Sequence, residues 1–417
     1  MTPEKEGPSG TGGSERRRLP RSYLIWLAGI LASLVGNSLF YFALGWSASA
    51  YGGAVAGLVL TTITLPRVLL LLFGGAVGDR MSARRVLILG DATMLVLSVV
   101  LAATAFHLGT PPWLLIVAGT FVGIVDAFYL PASGSMPRRL VDKNQLAQAL
   151  ALRKVGGQLV ALGGGPLGGI LVGLAGLAGA ALVNAVTFAV VLVVLITIRP
   201  QSDRTEVGSS RGLLEDAFDG VRVGFRDPLL RPALLLTGAA AGFLLPVLPL
   251  LVPLLARQEH WGVAVAGLIL GSQSIGMVAV TLAVVRRGSL GRPGLLSTWG
   301  LITACVGVLG LAVAPSAAVA IGAGLVMGVG NGMFVSHITP LILAETPDTH
   351  LSRIQALLTL LQALALLVMN NVLGNIASHW SVTAAVVICA LAGMGTGLLG
   401  LVSAPLRTAR ADSTDSA

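Results

Sequence analysis

The strongest constraint in this sequence is where its charges are absent. Twelve apolar stretches lie at about residues 22–47, 54–78, 86–107, 112–133, 156–176, 178–198, 231–255, 263–285, 294–314, 316–343, 354–378 and 382–404, with short polar connectors between them. Each is near or above the ~20 residues a helix needs to cross ~30 Å of hydrocarbon. Charged residues make up 11% of the chain and hydrophobic ones 55%, where an ordinary soluble domain carries roughly 25% charged residues. Too little polar surface is left to coat a water-soluble globule. The expected fold class is all-α integral membrane, with twelve transmembrane helices.

The net charge of +9 would suit a nucleic-acid partner if the charges formed a surface patch, but their distribution excludes that reading. With the N-terminus placed in the cytoplasm, 25 of the 27 Lys and Arg fall on cytoplasmic connectors or tails, Arg257 falls outside and Arg67 inside a span. This is the positive-inside pattern of a multi-pass cell-membrane protein with both termini cytoplasmic. All six Trp lie near span ends, as interfacial aromatics do. Cys305 and Cys389 both sit in apolar spans, so no disulfide and no metal site is expected. Residues 1–21 read as a disordered basic leader, and the apolar run behind them is too long for a signal-peptide core.

The longest polar interruption, residues 199–230, separates an N-terminal bundle (22–198) from a C-terminal one (231–404), with residues 405–417 as a cytoplasmic tail. Within the linker Leu214, Phe218, Val221 and Phe225 recur at helical spacing between charged residues, which predicts an amphipathic helix on the cytoplasmic surface. A weak repeat relates the halves. "GIVDAFYL" (123–130) aligns with "GVGNGMFV" (328–335), setting Asp126 against Asn331 and Tyr129 against Phe334. Two six-helix halves of equal orientation imply a pseudo-two-fold axis along the membrane normal and a substrate site between them near mid-membrane. The 54 Gly would weaken helices in water, but in lipid they let backbones approach.

The connector "GGAVGDRMSARR" (74–85) breaks two apolar runs with a short, mostly positive turn. It resembles the signature loop of the major facilitator superfamily, with Gly75, Asp79, Arg80 and Arg84 matching; Ser82 and Ala83 stand where that pattern has Gly and Arg. "SLVGN" (33–37), "LPRVLLLLFGG" (65–75), "RRLVDKNQLAQALAL" (138–152) and "GGPLGG" (164–169) resemble the branch of enterobactin exporters and macrolide efflux pumps. The resemblance implies secondary transport by alternating access, efflux driven by the proton gradient, and a cytoplasmic gate at the signature loop. Asp91, six residues beyond Arg85, is expected to pair with Arg80 or Arg84 within that gate.

Charges inside spans are costly, roughly 2.5–3.5 kcal/mol at the helix centre, so each asks for a role. Asp126 lies twelve residues before Arg138 and Arg67 twelve before Asp79, so at ~1.5 Å per residue both sit ~18 Å from their cytoplasmic markers. Equal depth allows them to pair. Asp126 would carry the coupling proton with Arg67 modulating it, since burial favours a neutral carboxyl and a nearby guanidinium favours the charged form. A permanent ion pair orienting two helices is the alternative. If the superfamily arrangement holds, Asn37, Tyr41, Tyr129, Asn331 and His337 also face the substrate cavity; Asn37 and His337 could equally serve helix packing. Gly165 and Pro166, and Pro246, Pro249 and Pro253, are expected to bend their helices.

The reading is a proton-coupled exporter of amphipathic small molecules such as drugs, antibiotics or secondary metabolites. Siderophore or other metabolite export, or import on the same fold, is the alternative within this class. A polytopic membrane enzyme is disfavoured, because no cluster with catalytic or metal-ligand spacing and no ATP-binding loop occurs. No cofactor is expected. The partners are a small-molecule substrate, protons and the bilayer, and the chain reads as a monomer.

Overall fold

The computed structural model describes residues 19–80, 82–198, 221–287, 291–347 and 350–409, without the side chains of 71–80, Lys143 and Ser352. The leader to residue 18, most of the linker, the end of the tail and the side chains of Gly75, Asp79 and Arg80 lie outside the described residues. All regular structure among the described residues is helical. The long helices are α1 Arg21–Ser49, α2 Gly53–Arg80, α3 Ala83–Leu108, α4 Pro112–Leu140, α5 146–175, α6 177–197, α7 Leu230–Gln258, α8 Val263–Arg287, α9 Pro293–Ala312, α10 Ala317–Glu345, α11 Leu351–His379 and α12 Val382–Val402. A short α13, Ala404–Thr408, follows. Each long helix alternates in direction, so one face of the bundle gathers Arg21, Arg84, Arg138 and Arg407. This is called the basic face below, and the other the opposite face.

Helices α5 and α6 run as one 52-residue helical stretch, Leu146–Thr197, interrupted at Gly176, whose φ of 60° and ψ of −159° turn the chain back. Only glycine adopts that backbone without strain, and the single-residue junction falls between the spans expected at 156–176 and 178–198. Helix α7 widens into a π turn at Val247–Leu251, where the Val252 N–H reaches back to the Val247 carbonyl. Pro249 and Pro253 lack N–H groups, which removes two α-helical bonds and leaves this wider turn the better solution. Pro166 behaves differently from expectation. Backbone angles stay helical through it, and its ring instead abuts α8, beside Gly271.

The expected repeat is visible in the packing. Gly123 of α4 lies so close to the Ile63 carbonyl of α2 that a Cβ there would collide with it, and Gly328 of α10 stands likewise against the Gln273 carbonyl of α8. Between the halves, Gly57 of α2 lies on the Asn370 carbonyl of α11, and Gly267 of α8 on the Gly165 carbonyl of α5. Each contact in one half thus has its counterpart in the other. A sequence echo underlies it, "AVAGLVL" (54–60) in α2 and "AVAGLIL" (264–270) in α8.

Two basic-face features depart from expectation. Arg84 does not reach Asp91; its Nε and Nη2 donate to the Leu195 and Ile196 carbonyls at 2.9 and 3.0 Å. The last carbonyls of a helix lack partners and carry partial negative charge, so a guanidinium there is doubly favoured. Of the linker helix, residues 221–226 are described and helical. Val221 points outward, while Val223, Gly224 and Phe225 pack inward, Gly224 against Leu234 and Ile354. Of the predicted stripe Phe225 thus packs inward and Val221 does not, while Leu214 and Phe218 lie outside the described residues. Asp227 then opens α7, its Oδ1 accepting the Leu229 and Leu230 N–H groups at 2.8 Å, as N-terminal caps do.

Candidate functional site

Between the halves lies a cavity of about 690 Å³ walled by α1, α2, α4, α5, α7, α8 and α11. Most of its wall is apolar, including Leu34, Phe42, Leu130, Leu248 and Leu366. The polar groups concentrate on the N-terminal half: Asn37, Ser38, Tyr41, Thr64, Arg67 and Asp126, with Asn370 opposite them on α11.

The charged centre is assembled by close helix approach. "GTFVG" (119–123) places two glycines on the α4 face that meets α2, Gly119 beside Val59 and Thr62 and Gly123 beside Ile63. Small residues four apart let two helices meet backbone to backbone. One turn further along each helix, Asp126 and Arg67 come level. Arg67 Nη1 stands 4.0 Å from Asp126 Oδ2, and the Tyr41 hydroxyl of α1 donates to the same oxygen at 2.8 Å. The pair is loose and faces the cavity, so a ligand can compete for either partner. Among the described residues the C-terminal half has no such centre: the glycine contacts that position Arg67 and Asp126 recur there around Met277 and Asn331.

Of the sequence candidates, Asn37, Tyr41, Arg67, Asp126, Gly165 and Pro249 line this cavity; Tyr129, Asn331 and His337 do not. Tyr129 is buried with its hydroxyl toward Asp91 and Ser33. Asn331 is half-buried between Gly330, which meets α9, and Gly332, which meets α8. His337 is buried, with Nδ1 2.8 Å from the Met333 carbonyl one turn earlier, the local bond of a packing histidine. Asp91, expected near an arginine at the basic face, is fully buried and neither of its oxygens has a hydrogen-bond partner.

The opposite face is closed by bonds the sequence did not suggest. Arg257 of α7, the lone arginine expected outside, donates from Nε to Ser49 Oγ at 2.7 Å and from Nη2 to the Trp46 carbonyl at 2.9 Å. Its guanidinium lies over the Trp46 ring, 4.3 Å from the centroid. It therefore caps the end of α1 from the other half. Asn371 Nδ2 of α11 donates to Thr61 Oγ1 of α2 at 2.6 Å, and Ser378 Oγ accepts from the Ala54 N–H at 2.8 Å. Gly45 meets the free Pro249 carbonyl, where an added Cβ would stand 3.0 Å away.

A twelve-helix bundle with paired halves and a central cavity is the architecture of a transporter, and sequence comparison decides the family: the profile described as Major Facilitator Superfamily matches residues 25–370. The chain belongs to that superfamily. It is therefore a multi-pass membrane transporter of a small molecule rather than an enzyme. Solved structures agree on the fold. The nucleoside transporter NupG, as its D323A mutant, is similar at a TM-score of 0.75 with 10% identity, covering 92% of this chain and 100% of that one. A D-xylose-proton symporter is similar at 0.71 with 14% identity, covering 92% and 99%. A bacterial homologue of the iron transporter ferroportin in an inward-facing state is similar at 0.67 with 18% identity, covering 91% and 100%. No curated protein sequence matches the chain.

Proposed function

We propose that this superfamily member is a proton-coupled exporter of amphipathic small molecules, with Asp126 as the coupling carboxylate. The observation that carries the reading is the Tyr41–Asp126–Arg67 centre set into one wall of an otherwise apolar cavity. Burial favours the neutral form of a carboxyl, while a hydroxyl donor and a nearby guanidinium favour the charged one; separating Asp126 from Arg67 in a low-dielectric wall would tip that balance toward the proton. A ligand with an apolar body and a polar end fits the same wall, its body against Leu34, Phe42 and Leu248 and its polar end toward the charged centre. Cavities of this kind fix orientation with few polar groups. The first-half resemblance to enterobactin exporters and macrolide efflux pumps supports export over import.

On this reading the basic face is cytoplasmic, following the positive-inside rule. The bonds and glycine contacts at the opposite face then make this an inward-facing state, closed toward the exterior. The test is uptake of a lipophilic cationic dye into everted membrane vesicles energised with a proton gradient. Accumulation abolished by an uncoupler, and lost in Asp126→Asn with membrane insertion intact, supports the function. Accumulation indifferent to the uncoupler would refute proton coupling, and dye leaving the vesicle with the gradient would favour import.

A further inference from the structure

Buried polar atoms without a hydrogen-bond partner are concentrated in this protein. Among the described residues they belong to Asn37, Asp91, Tyr129, Asn184, His337 and Asn370. The first three share one strip between α1, α3 and α4. A buried polar atom left unpaired is costly, and several in one place point to a use.

The strip starts at the coupling centre and runs toward the basic face. On α1, Tyr41, Asn37 and Ser33 follow at four-residue intervals and so stack along one side. On α4, Tyr129 lies one turn beyond Asp126, with its hydroxyl facing Ser33 and the Asp91 carboxylate. Asp91 belongs to the buried stripe of α3, Leu87, Asp91, Met94, Ser98 and Leu101, so its side chain cannot swing to solvent.

Among the described residues no cation pairs with it. Arg84 on its own helix is bound to the α6 carbonyls. Arg153 of α5 donates to the Ser133 carbonyl and hydroxyl at 3.0 Å and stacks over Trp26. The nearest polar group of α6, Asn184, donates to Ser98, two turns along α3 from Asp91. A carboxylate sealed from water beside a tyrosine, with no ion pair and no close hydrogen bond among the described residues, has little to hold a negative charge. Asp126 has both a hydroxyl donor and a guanidinium.

We propose that Asp91 is a second proton-binding site, occupied in this conformation, which exchanges its proton with Asp126 along the strip. The exchange rests on the proton-coupled reading above. Asp91 gives its proton to the Tyr129 hydroxyl as that hydroxyl passes its own onward. Ser33, a water held by the unpaired Asn37 oxygen, and Tyr41 do the same in turn, and the Asp126 carboxylate takes up the last proton. Asp91 ends as a carboxylate, Asp126 as an acid, and each relay group is unchanged. Neutral Asp126 then releases Arg67 to the cavity.

Infrared spectroscopy of the purified protein in H₂O and D₂O tests the site directly. At neutral pH the wild type should show the C=O band of a buried, protonated carboxylic acid. Asp91→Asn, close in shape to the neutral acid, should remove that band, while Asp126→Asn should retain it. Should Asp91→Asn fail to fold, Tyr129→Phe should shift the band's frequency by altering the group that faces the acid. In proteoliposomes, Tyr129→Phe should also slow gradient-driven transport at least tenfold. A band missing from the wild type, or unmoved by both Asp91→Asn and Tyr129→Phe, would overturn the proton site. Dye movement indifferent to an uncoupler in the wild type would overturn the exchange step, and the proposed function with it, whatever the band shows.

Discussion

Replacing Arg257 with alanine should release the opposite face. Its side chain spans the two halves with two charge-assisted hydrogen bonds, at 2.7 and 2.9 Å, and rests on the Trp46 ring. A hydrogen bond to a charged group contributes about 1.5–3 kcal/mol, and an exposed cation–π contact about 0.5–1 kcal/mol. The site is partly open to solvent, and water replaces some of what the mutation removes, so the net loss should be about 2–3 kcal/mol. That corresponds to a change of about 30- to 150-fold in the balance between states closed and open at this face. A molecule resting near 99:1 would be brought close to parity, on the order of what such a shift achieves. Spin labels at Tyr51→Cys on the N-terminal half and Trp380→Cys on the C-terminal half report the separation; both positions are exposed, and the native Cys305 and Cys389 are buried beyond labelling. The longer distance should grow in Arg257→Ala, and Arg257→Lys, which keeps charge without the two-pronged geometry, should fall between. An unchanged distribution in Arg257→Ala would show that the bridge forms without holding the halves, and the reasoning would fail.

Gly57→Val should push the same labels apart, because its Cβ would collide with the Asn370 carbonyl; overpacking of this kind costs about 1–3 kcal/mol, and a wild-type distance distribution would contradict the seam. Arg84→Ala should lower the melting temperature of detergent-solubilised protein through loss of the α6 cap, about 1–2 kcal/mol after solvent screening; unchanged melting would show the cap to be idle. Tyr41→Phe removes the donor to Asp126 and should reduce gradient-driven dye uptake by roughly 10- to 100-fold, matching a charged hydrogen bond of about 1.5–3 kcal/mol. Uptake at the wild-type rate would place the coupling elsewhere.

How much of this could be read before the structure depends on the kind of signal. Spans are long, apolar and flanked by charge, so all twelve are found near their expected positions, down to the junction at Gly176. Arg67 and Asp126 are legible because a charge in an apolar helix needs a partner, and depth counted along the chain puts the two level; Asn37 and Tyr41 follow from the superfamily arrangement instead. Distance along the chain misled at Asp91. It lies near Arg84 in sequence, but Arg84 turns to the end of α6, and the 87, 91, 94, 98, 101 spacing that buries Asp91 was present and unread. Asn331 and His337 rest on the superfamily arrangement, which turns the polar groups of α10 to the cavity. Neither lines the cavity, His337 bonding the Met333 carbonyl one turn back, and what distinguishes the halves, Met277 where the other has Arg67, emerges only when the glycine contacts are superposed. Arg257 was noticed only as an exception to the charge rule; its partners on α1 are more than 200 residues away, and no local pattern announces them.

The glycine seams bear on how smoothly such a molecule can cycle. Where Gly57 meets α11 and Gly267 meets α5, bare main chain slides onto bare main chain, and a glycine has no rotamers to freeze on contact. Bringing those helices together therefore costs almost no side-chain disorder, and the close fit allows a single register. The corresponding weakness is that evolution has no small adjustment available there: any atom added at either position props the seam ajar.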